Sequence, residues 1–323
     1  MIPATSDTIT LVLPLDSPTY ARAAEAVRAG FLAAAGAANS VARTRVIAHG
    51  DDGVLPAFAA AVAAGSALVV GPLTRDDLKT VLAMALTRPR MLALNQLEDG
   101  APLPADVYAL ALSVDNDAAQ LARVAHDDGA VLMAIVVSDT PLQRRFAAAF
   151  VAAWKRDGGT PPREYRFDPN LDLLGALRRD LAAKPPDAIL LAVDGSDAPL
   201  AKSFLPPVTV YASSQIADNL SLAMLRDLDN VRYVEIQWLA DPGNPTFAGV
   251  PHSNLGDPVL ERLYALGLDA FAVAQMLAEP IPPKRIELDG ATGHLTLLPS
   301  RSLAREGRLM VIRDGRPVAY PAP

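Results

Sequence analysis

Residues 66–77 read S-A-L-V-V-G-P-L-T-R-D-D, and this stretch decides the fold class. Ala67, Leu68, Val69 and Val70 form a continuous apolar run too short for a helix, of the kind that fills a parallel strand covered on both faces. Gly71-Pro72 then ends the ladder. Thr74 with Asp77 three residues later is an approximate capping box, so a helix is expected from Arg75. A buried strand that feeds a helix N-terminus leaves unpaired backbone N–H groups at the carboxyl edge of a sheet, where open α/β folds hold polar ligands. No catalytic side chain accompanies it.

The same unit repeats on either side. Residues 9–15, I-T-L-V-L-P-L, predict a buried strand, followed by the polar turn Asp16-Ser17-Pro18-Thr19 and a helix over 20–38 with apolar residues at helical spacing. Short strands follow at 46–48, 90–94 and 107–113, the second of these ending on Asn95-Gln96. Helices between them imply right-handed crossovers and a parallel, doubly wound sheet. The pattern restarts with an amphipathic helix over 115–128 and strands at 131–137, 164–167, 188–193 and 208–211, which lead into Ser138-Asp139, Asp194-Gly195 and Ser213-Ser214-Gln215. A strand is expected at 231–237, a long irregular loop at 239–258, a strong helix at 260–277, and a β-like tail over 286–320 with turns at Gly290, Gly293 and Asp314-Gly315. A late helix after two α/β units implies that the chain crosses back. The expected division is therefore residues 1–112 plus 240–285 in one lobe and 113–239 plus 286–323 in the other.

At 323 residues both halves are long enough to bury a core. The 51% hydrophobic content is dominated by Ala, Leu and Val with only 5% aromatic residues, which favours a helix-rich α/β protein. A formal charge of −7 without basic runs argues against nucleic acid as a partner. Absence of cysteine removes disulfides, thiolate nucleophiles and zinc-thiolate sites. Residues 1–5 carry neither a basic n-region nor an apolar h-region, so no signal peptide is expected in them. Apolar runs fall short of the roughly 18 residues that span a bilayer.

Several stretches together carry a resemblance: Val69-Val70-Gly71-Pro72-Leu73, Leu94-Asn95, Ser113-Val114-Asp115, the 229–235 stretch D-N-V-R-Y-V-E, and above all L-Y-A-L-G-L-D-A at 263–270 followed by D-G-A-T-G at 289–293. In order and spacing, the chain resembles the C-terminal domain of the LpoA-type lipoprotein activators of penicillin-binding proteins, which is similar to type I periplasmic binding proteins of the leucine-binding kind. The resemblance runs from about Thr8 to Tyr320. It implies two Rossmann-like lobes in a Venus-flytrap arrangement with an interlobe cleft, and a non-enzymatic regulator that activates a class A penicillin-binding protein by protein contact. It also implies a periplasmic location with a lipid anchor in the outer membrane carried by the full-length precursor. The lipobox cysteine and the N-terminal helical repeats of the fuller family members are not among these residues. The alternative that the same resemblance allows is a solute-binding protein of an ABC-type uptake system, with a small amino-acid-like ligand.

By analogy with type I binding proteins, the cleft candidates are Asp16, Ser17, Thr19, Gly71, Pro72, Leu73, Thr74, Asn95 and Gln96 from one lobe, and Ser138, Asp139, Asp194, Ser213 and Gln215 from the other. Ser17, Leu73, Thr74, Asn95 and Gln96 would face a carboxylate, and Asp139 or Asp194 an ammonium. Against this stands the plain preference of Ser, Thr, Asp and Asn for caps and turns. Trp238, Phe247 and His252 mark the irregular loop as a candidate partner surface, with a crossover wrapped by its own prolines as the competing reading. Asp269 sits inside an apolar helix, where a structural hydrogen-bonding role is expected. No cofactor or metal is expected: His49, His126, His252 and His294 have no metal-ligand spacing, and no Gly-rich phosphate motif occurs. No enzyme is expected either.

Overall fold

The structure is a computed structural model and describes residues 8–84, 88–97, 102–253 and 255–320. The N-terminal residues on which the signal-peptide expectation rests lie outside the described residues. In chain order, the first unit opens with β1 (Ile9–Leu13), α1 (Ala21–Ala37), β2 (Thr44–Ala48), α2 (Val54–Ala63), β3 (Leu68–Val70), α3 (Arg75–Leu82), β4 (Arg90–Ala93) and β5 (Val107–Ala109). The second unit contains α4 (Val114–Asp127), β6 (Met133–Val137), α5 (Pro141–Arg156), β7 (Arg163–Arg166), α6 (Leu171–Ala183), β8 (Ala188–Ala192), α7 (Ala198–Ser203), β9 (Thr209–Ala212), α8 (Leu222–Asp227) and β10 (Val231–Glu235). The chain then returns to the first unit with α9 (Gln237–Ala240), α10 (Pro258–Ala278), β11 (Glu287–Gly290), β12 (Gly293–Leu297) and β13 (Leu303–Glu306). It ends in the second unit with β14 (Arg308–Arg313) and β15 (Arg316–Ala319).

Each unit is a doubly wound parallel sheet. In the first the order is β2-β1-β3-β4-β5, with every pairing parallel. The second has the order β15-β14-β10-β9-β8-β6-β7, parallel from β10 to β7 with an antiparallel β14–β15 hairpin added at one edge. That hairpin turns on Asp314 and Gly315, both at positive φ (52° and 74°), the backbone a two-residue turn of this hand requires. The sheets are covered on both faces, so β1, β3, β6 and β8 are buried along their whole length.

Helices α1 and α10 cross in the first unit at two glycines. A Cβ on Gly30 would lie 2.0 Å from the Tyr264 carbonyl oxygen, and one on Gly267 would lie 2.2 Å from that of Val27. Backbone meets backbone at this crossing, and one turn further on Phe31 and Phe271 meet edge to face at 5.2 Å. The G in L-Y-A-L-G-L-D-A is thus a packing requirement.

The division into compact units differs from the expected one at the C-terminal end. Met1–Leu112 and Ile236–Arg305 form the first unit, and Ser113–Glu235 with Glu306–Pro323 the second. Residues 286–305 therefore belong with the first unit rather than the second. Ile286, Leu295 and Leu303 are buried in the same core as Leu266, Ala270 and Val273 of α10, and Ser302 bridges Ala109 at the end of β5. Residues 236–239 shift for the same reason, since Ile236 and Trp238 pack on Tyr264 and Leu268 of α10. A smaller difference lies at 131–132: the strand begins at Met133, and Val131 and Leu132 are exposed. Their N–H groups go to the Asp187 carboxylate instead of a ladder.

Candidate functional site

In each unit the connections leave the carboxyl ends of the parallel strands, and the crevice in an open α/β sheet lies where the strand order reverses. In the first unit that point is between β1 and β3. It is filled by main chain: Gly71 (φ 115°) passes so close to β1 that a Cβ there would sit 2.2 Å from the Val12 carbonyl oxygen, and the Gly71-Pro72 peptide is cis.

The polar side chains at this edge close onto nearby backbone. Ser17 is buried, and its Oγ accepts the N–H groups of Thr19 and Tyr20 at 3.3 and 3.1 Å. Thr74 caps α3 as its spacing predicts, with Oγ1 accepting the Asp77 N–H at 3.1 Å and donating to the Asp77 carboxylate at 2.6 Å. Asn95 donates its Nδ2 to the Leu73 carbonyl and accepts the Gln96 N–H, both at 2.9 Å. Arg75 donates to the Gln96 carbonyl at 3.1 Å. Leu73, Thr74 and Asn95 line one recess of about 370 Å³ with Tyr20, Leu263 and Leu266, a mostly apolar wall. Asp16 and Thr19 are exposed.

In the second unit the reversal falls between β6 and β8, and the edge there is different. Ser138 follows β6, Asp194 follows β8 and Ser213 follows β9, three neighbouring strand ends. Ser138 and Thr140 hydroxyls lie 3.4 Å apart, Thr140 donates to Asp194 Oδ1 at 3.5 Å, and Gln143 Nε2 donates to the same oxygen at 3.3 Å. Gln143 is fully buried. Its Oε1, like the buried Ser213 Oγ, has no hydrogen-bond partner among the described residues. A position for a Cβ on Gly195 lies 2.9 Å from the Gln215 carbonyl oxygen, which brings the loop after β8 against the one after β9.

Thr140 and Gln143 were not among the sequence candidates, although a signal existed. T-P-L-Q at 140–143 has capping-box spacing with proline at the first helical position. The box does not close: Thr140 makes no side-chain cap bond to α5, and Gln143 turns to Asp194. Asp139 stands apart from this cluster. It is exposed and ion-paired with Arg166, while its carbonyl accepts two guanidinium N–H groups of Arg144 at 3.0 and 2.9 Å.

The 239–258 stretch is strapped down from within. Glu261 of α10 accepts the Trp238 indole N–H at 3.1 Å, the Leu255 N–H at 2.9 Å and the Ser253 hydroxyl, and Tyr264 donates to the Pro251 carbonyl at 2.6 Å. Trp238 is only 5% exposed, with Phe247 at 5.7 Å and His252 at 5.3 Å between ring centroids. The expected partner residue Trp238 is thus a core side chain, and Phe247 and His252 are its cover. A local pattern does not reveal that a tryptophan after a strand is roofed by a loop.

Asp269 is fully enclosed in the first unit. Its carboxylate accepts the N–H of Ala291 at 2.6 Å, the N–H of Thr292 at 2.7 Å and the Thr292 hydroxyl at 2.6 Å, while Arg305 donates to the Thr292 carbonyl at 3.1 Å. Burial pushes its pKa up to about 6, with the Thr292 and Ala291 donors and the Arg305 charge pulling the other way. The expected structural role for this residue matches these contacts. Among the described residues no group of three or more His, Cys, Asp or Glu side chains is placed to hold a metal ion. No helix among them is long and apolar enough to cross a membrane.

A single family matches residues in both units. The model of a family described as "LppC putative lipoprotein" matches residues 4–174 and 176–315. The chain belongs to the LppC family. A curated relative from Enterobacter sp. (strain 638), penicillin-binding protein activator LpoA, is 27% identical over 278 residues, covering 72% of this chain and 38% of that protein. The chain thus spans less than two thirds of the length of such relatives. Among solved structures, that of "a putative branched-chain amino acid ABC transporter" from Chromobacterium violaceum has a TM-score of 0.81 at 33% identity, covering 94% of this chain and 99% of the other. The C-domain of LpoA from Haemophilus influenzae, described as a regulator of PBP1A, has a TM-score of 0.82 at 24% identity, covering 97% of this chain and all of the other. The LppC fold is thus the one seen here, two α/β units of the leucine-binding-protein kind.

Proposed function

We propose that the chain is a regulator that activates a class A penicillin-binding protein, a bifunctional peptidoglycan synthase, by protein contact and without turnover of its own. It works in the periplasm, tethered to the outer membrane by the lipid anchor of the full-length precursor. One observation carries this reading: the LppC match runs through both units, and a relative that covers 72% of the chain bears the name of a penicillin-binding protein activator. The first unit supports it physically. The hydroxyls and amides of Ser17, Thr74 and Asn95 are engaged by neighbouring backbone, and the recess beside them is mostly apolar. A surface so satisfied is suited to protein contact more than to caging a charged solute. The test is to add the purified chain to a class A synthase with lipid-linked substrate and to count peptide cross-links. A rise in cross-linking with saturable co-sedimentation is expected. Unchanged cross-linking and no association would overturn the proposal.

A second reading has its own observation. The Chromobacterium violaceum protein, described as "a putative branched-chain amino acid ABC transporter", is 33% identical along nearly its whole length, and the second unit carries the buried amide oxygen of Gln143 beside Asp194. On this reading the chain is a solute-binding protein for a small polar ligand with hydrogen-bond donors. A screen of amino acids by thermal shift decides it, because saturation at a hundred times the dissociation constant stabilises by about 2.7 kcal/mol. A flat screen removes this reading and leaves the first untouched.

A further inference from the structure

The first unit has a second recess, of about 350 Å³, at the amino end of its sheet. β1 begins at its wall with Ile9 and β2 with Thr44, and the last two turns of α10 border it with Phe271, Gln275 and Ala278. Every strand of this sheet runs the same way, so the recess lies at the opposite edge from the strand ends that carry Leu73, Thr74 and Asn95. Ile9 and Phe271 are buried, and with Ala278 and Pro280 they make one side of it apolar.

The polar side is set by backbone. Asn39 at φ 52°, with the Ser40 N–H on the Ala35 carbonyl at 2.8 Å and its own on that of Gly36 at 3.0 Å, closes α1 in a Schellman motif and fixes Ser40 behind the helix. The turn that follows, Val41–Arg43, is held by the Arg43 N–H on the Ser40 carbonyl at 3.0 Å and by the Thr44 hydroxyl on the Val41 carbonyl at 2.7 Å. Two side-chain donors then converge on one oxygen: Arg43 Nη2 and Gln275 Nε2 each lie 3.4 Å from the buried Ser40 Oγ. Both contacts are longer than the usual range of roughly 2.7–3.2 Å, and a hydroxyl is a poor match for the donor fork of a guanidinium. Arg43 is exposed and has no carboxylate within ion-pair distance among the described residues. Gln275 is the only polar side chain over residues 270–278 of α10. Glu279 brings the opposite charge to the recess, exposed and also without an ion-pair partner among the described residues, and Arg90 Nη1 fixes its carbonyl at 2.8 Å.

We propose that this recess binds a small monocarboxylate with an aliphatic body. The carboxylate takes the Arg43 and Gln275 donors in place of their long contacts to Ser40, and the pair with the guanidinium is charge-assisted. The aliphatic body lies on Ile9, Phe271, Ala278 and Pro280 and removes apolar area from water. Glu279 sets selectivity, because a second negative group on the ligand meets a like charge there and dicarboxylates are disfavoured. The volume stands at the low end of ligand sites, roughly 300–1,000 Å³, which limits the ligand to a few carbons. This site is independent of the strand-end clusters and of the regulator reading.

The probe is isocaproate, titrated at neutral pH into the isotope-labelled whole chain and followed by amide NMR. Saturable shifts are expected at Ser40, Thr44, Gln275 and Glu279. Arg43→Gln should raise Kd about tenfold or more, and Gln275→Leu about threefold or more. Arg43 is exposed, so its replacement keeps the fold, and melting curves check both variants. Glutarate should bind the wild type about tenfold more weakly than isocaproate, and Glu279→Gln should close that gap. Absence of a saturable shift overturns the proposal, as do shifts confined to Leu73, Thr74 and Asn95, which place the ligand at the other edge of the sheet. Undiminished affinity in a folded Arg43→Gln overturns it too, and equal binding of glutarate and isocaproate to the wild type overturns the selectivity assigned to Glu279.

Discussion

Asp269 and Thr292 are joined by two hydrogen bonds, the threonine N–H at 2.7 Å and its hydroxyl at 2.6 Å both donating to one carboxylate oxygen, so a side chain buried in α10 sets the turn between β11 and β12. The other oxygen takes the Ala291 N–H. A Cβ on Gly290 would lie 2.6 Å from either oxygen, so the D-G-A-T-G sequence is fitted to the carboxylate. Replacing Asp269 by Ala strands three buried donors, and a loss of about 3–5 kcal/mol is expected. Asp269→Asn keeps one acceptor and should lose about 1–3 kcal/mol. Urea unfolding at neutral pH measures both, and an Asp269→Ala loss under 1 kcal/mol would show that the turn stands without the carboxylate.

The same group makes a pH prediction whose sign follows from burial. Its folded pKa, about 6, lies above the ordinary aspartate value of 3.8, so the folded state holds this proton more tightly. The contribution of Asp269 is therefore fully present below about pH 4 and is lost as pH rises through 6, by on the order of 3 kcal/mol. Measured as wild type minus Asp269→Asn, which removes the other titrations, unfolding free energy should fall between pH 4 and 7. A difference that rises with pH would mean the donors outweigh burial.

The crossing of α1 and α10 separates two glycines by what surrounds them. Gly267→Ala places a methyl 2.2 Å from the Val27 carbonyl oxygen and must push the helices apart, at a cost of about 1–3 kcal/mol or more. Gly36, near the end of α1, has nothing within 4 Å of a built Cβ. Gly36→Ala should stabilise by up to about 1 kcal/mol through helix propensity alone. Opposite shifts in melting temperature are expected, and a neutral Gly267→Ala would contradict the close crossing.

How much of this was legible varied with the physics involved. The buried runs and polar turns at 9–19 and 66–77 gave parallel strands and helix starts, because burial on both faces writes itself as a continuous apolar run and a cap as a local spacing. The three-stranded 286–305 stretch is expected in the second unit and lies in the first, since a β-like stretch carries no mark of which core receives Ile286 and Leu295. Trp238 looked like a loop aromatic because its roof, Phe247 and His252, is a tertiary fact. Asp194 and Ser213 were singled out from their strand ends, but Gln143 was hidden by a capping box that does not close. Asp128 joins Arg232 at 2.5 Å and the Tyr211 hydroxyl, partners 104 and 83 residues away that no local pattern around a helix end reveals.

Gln143 offers a test that bears on the second reading. Its Oε1 is buried without a partner among the described residues, and such an acceptor costs roughly 1–3 kcal/mol. Gln143→Leu removes that cost together with the 3.3 Å bond to the partly exposed Asp194, so stability within about 1 kcal/mol of wild type or above it is expected. If the solute reading holds, the same variant should also abolish any amino-acid-induced thermal shift. A strongly destabilised Gln143→Leu without any ligand would mean the amide oxygen is satisfied by bound water.

Glu261 gathers the 239–258 stretch through three donors, so its charge and reach govern how firmly the loop covers Trp238. Glu261→Gln leaves one acceptor oxygen and points an NH2 group at the donors that the second oxygen now serves. A loss of about 1–3 kcal/mol is expected, concentrated locally because the loop is short of core contacts and opens below the global unfolding free energy. Hydrogen exchange should accelerate at Leu255 and across 244–253 while the amides of β1 and β3 stay protected. The emission of Trp238, one of two tryptophans in the chain, should shift to the red as its roof loosens. Uniform acceleration across both units would instead mean that the clasp is part of the global core, and an unchanged exchange pattern that the aromatic stack alone holds the loop.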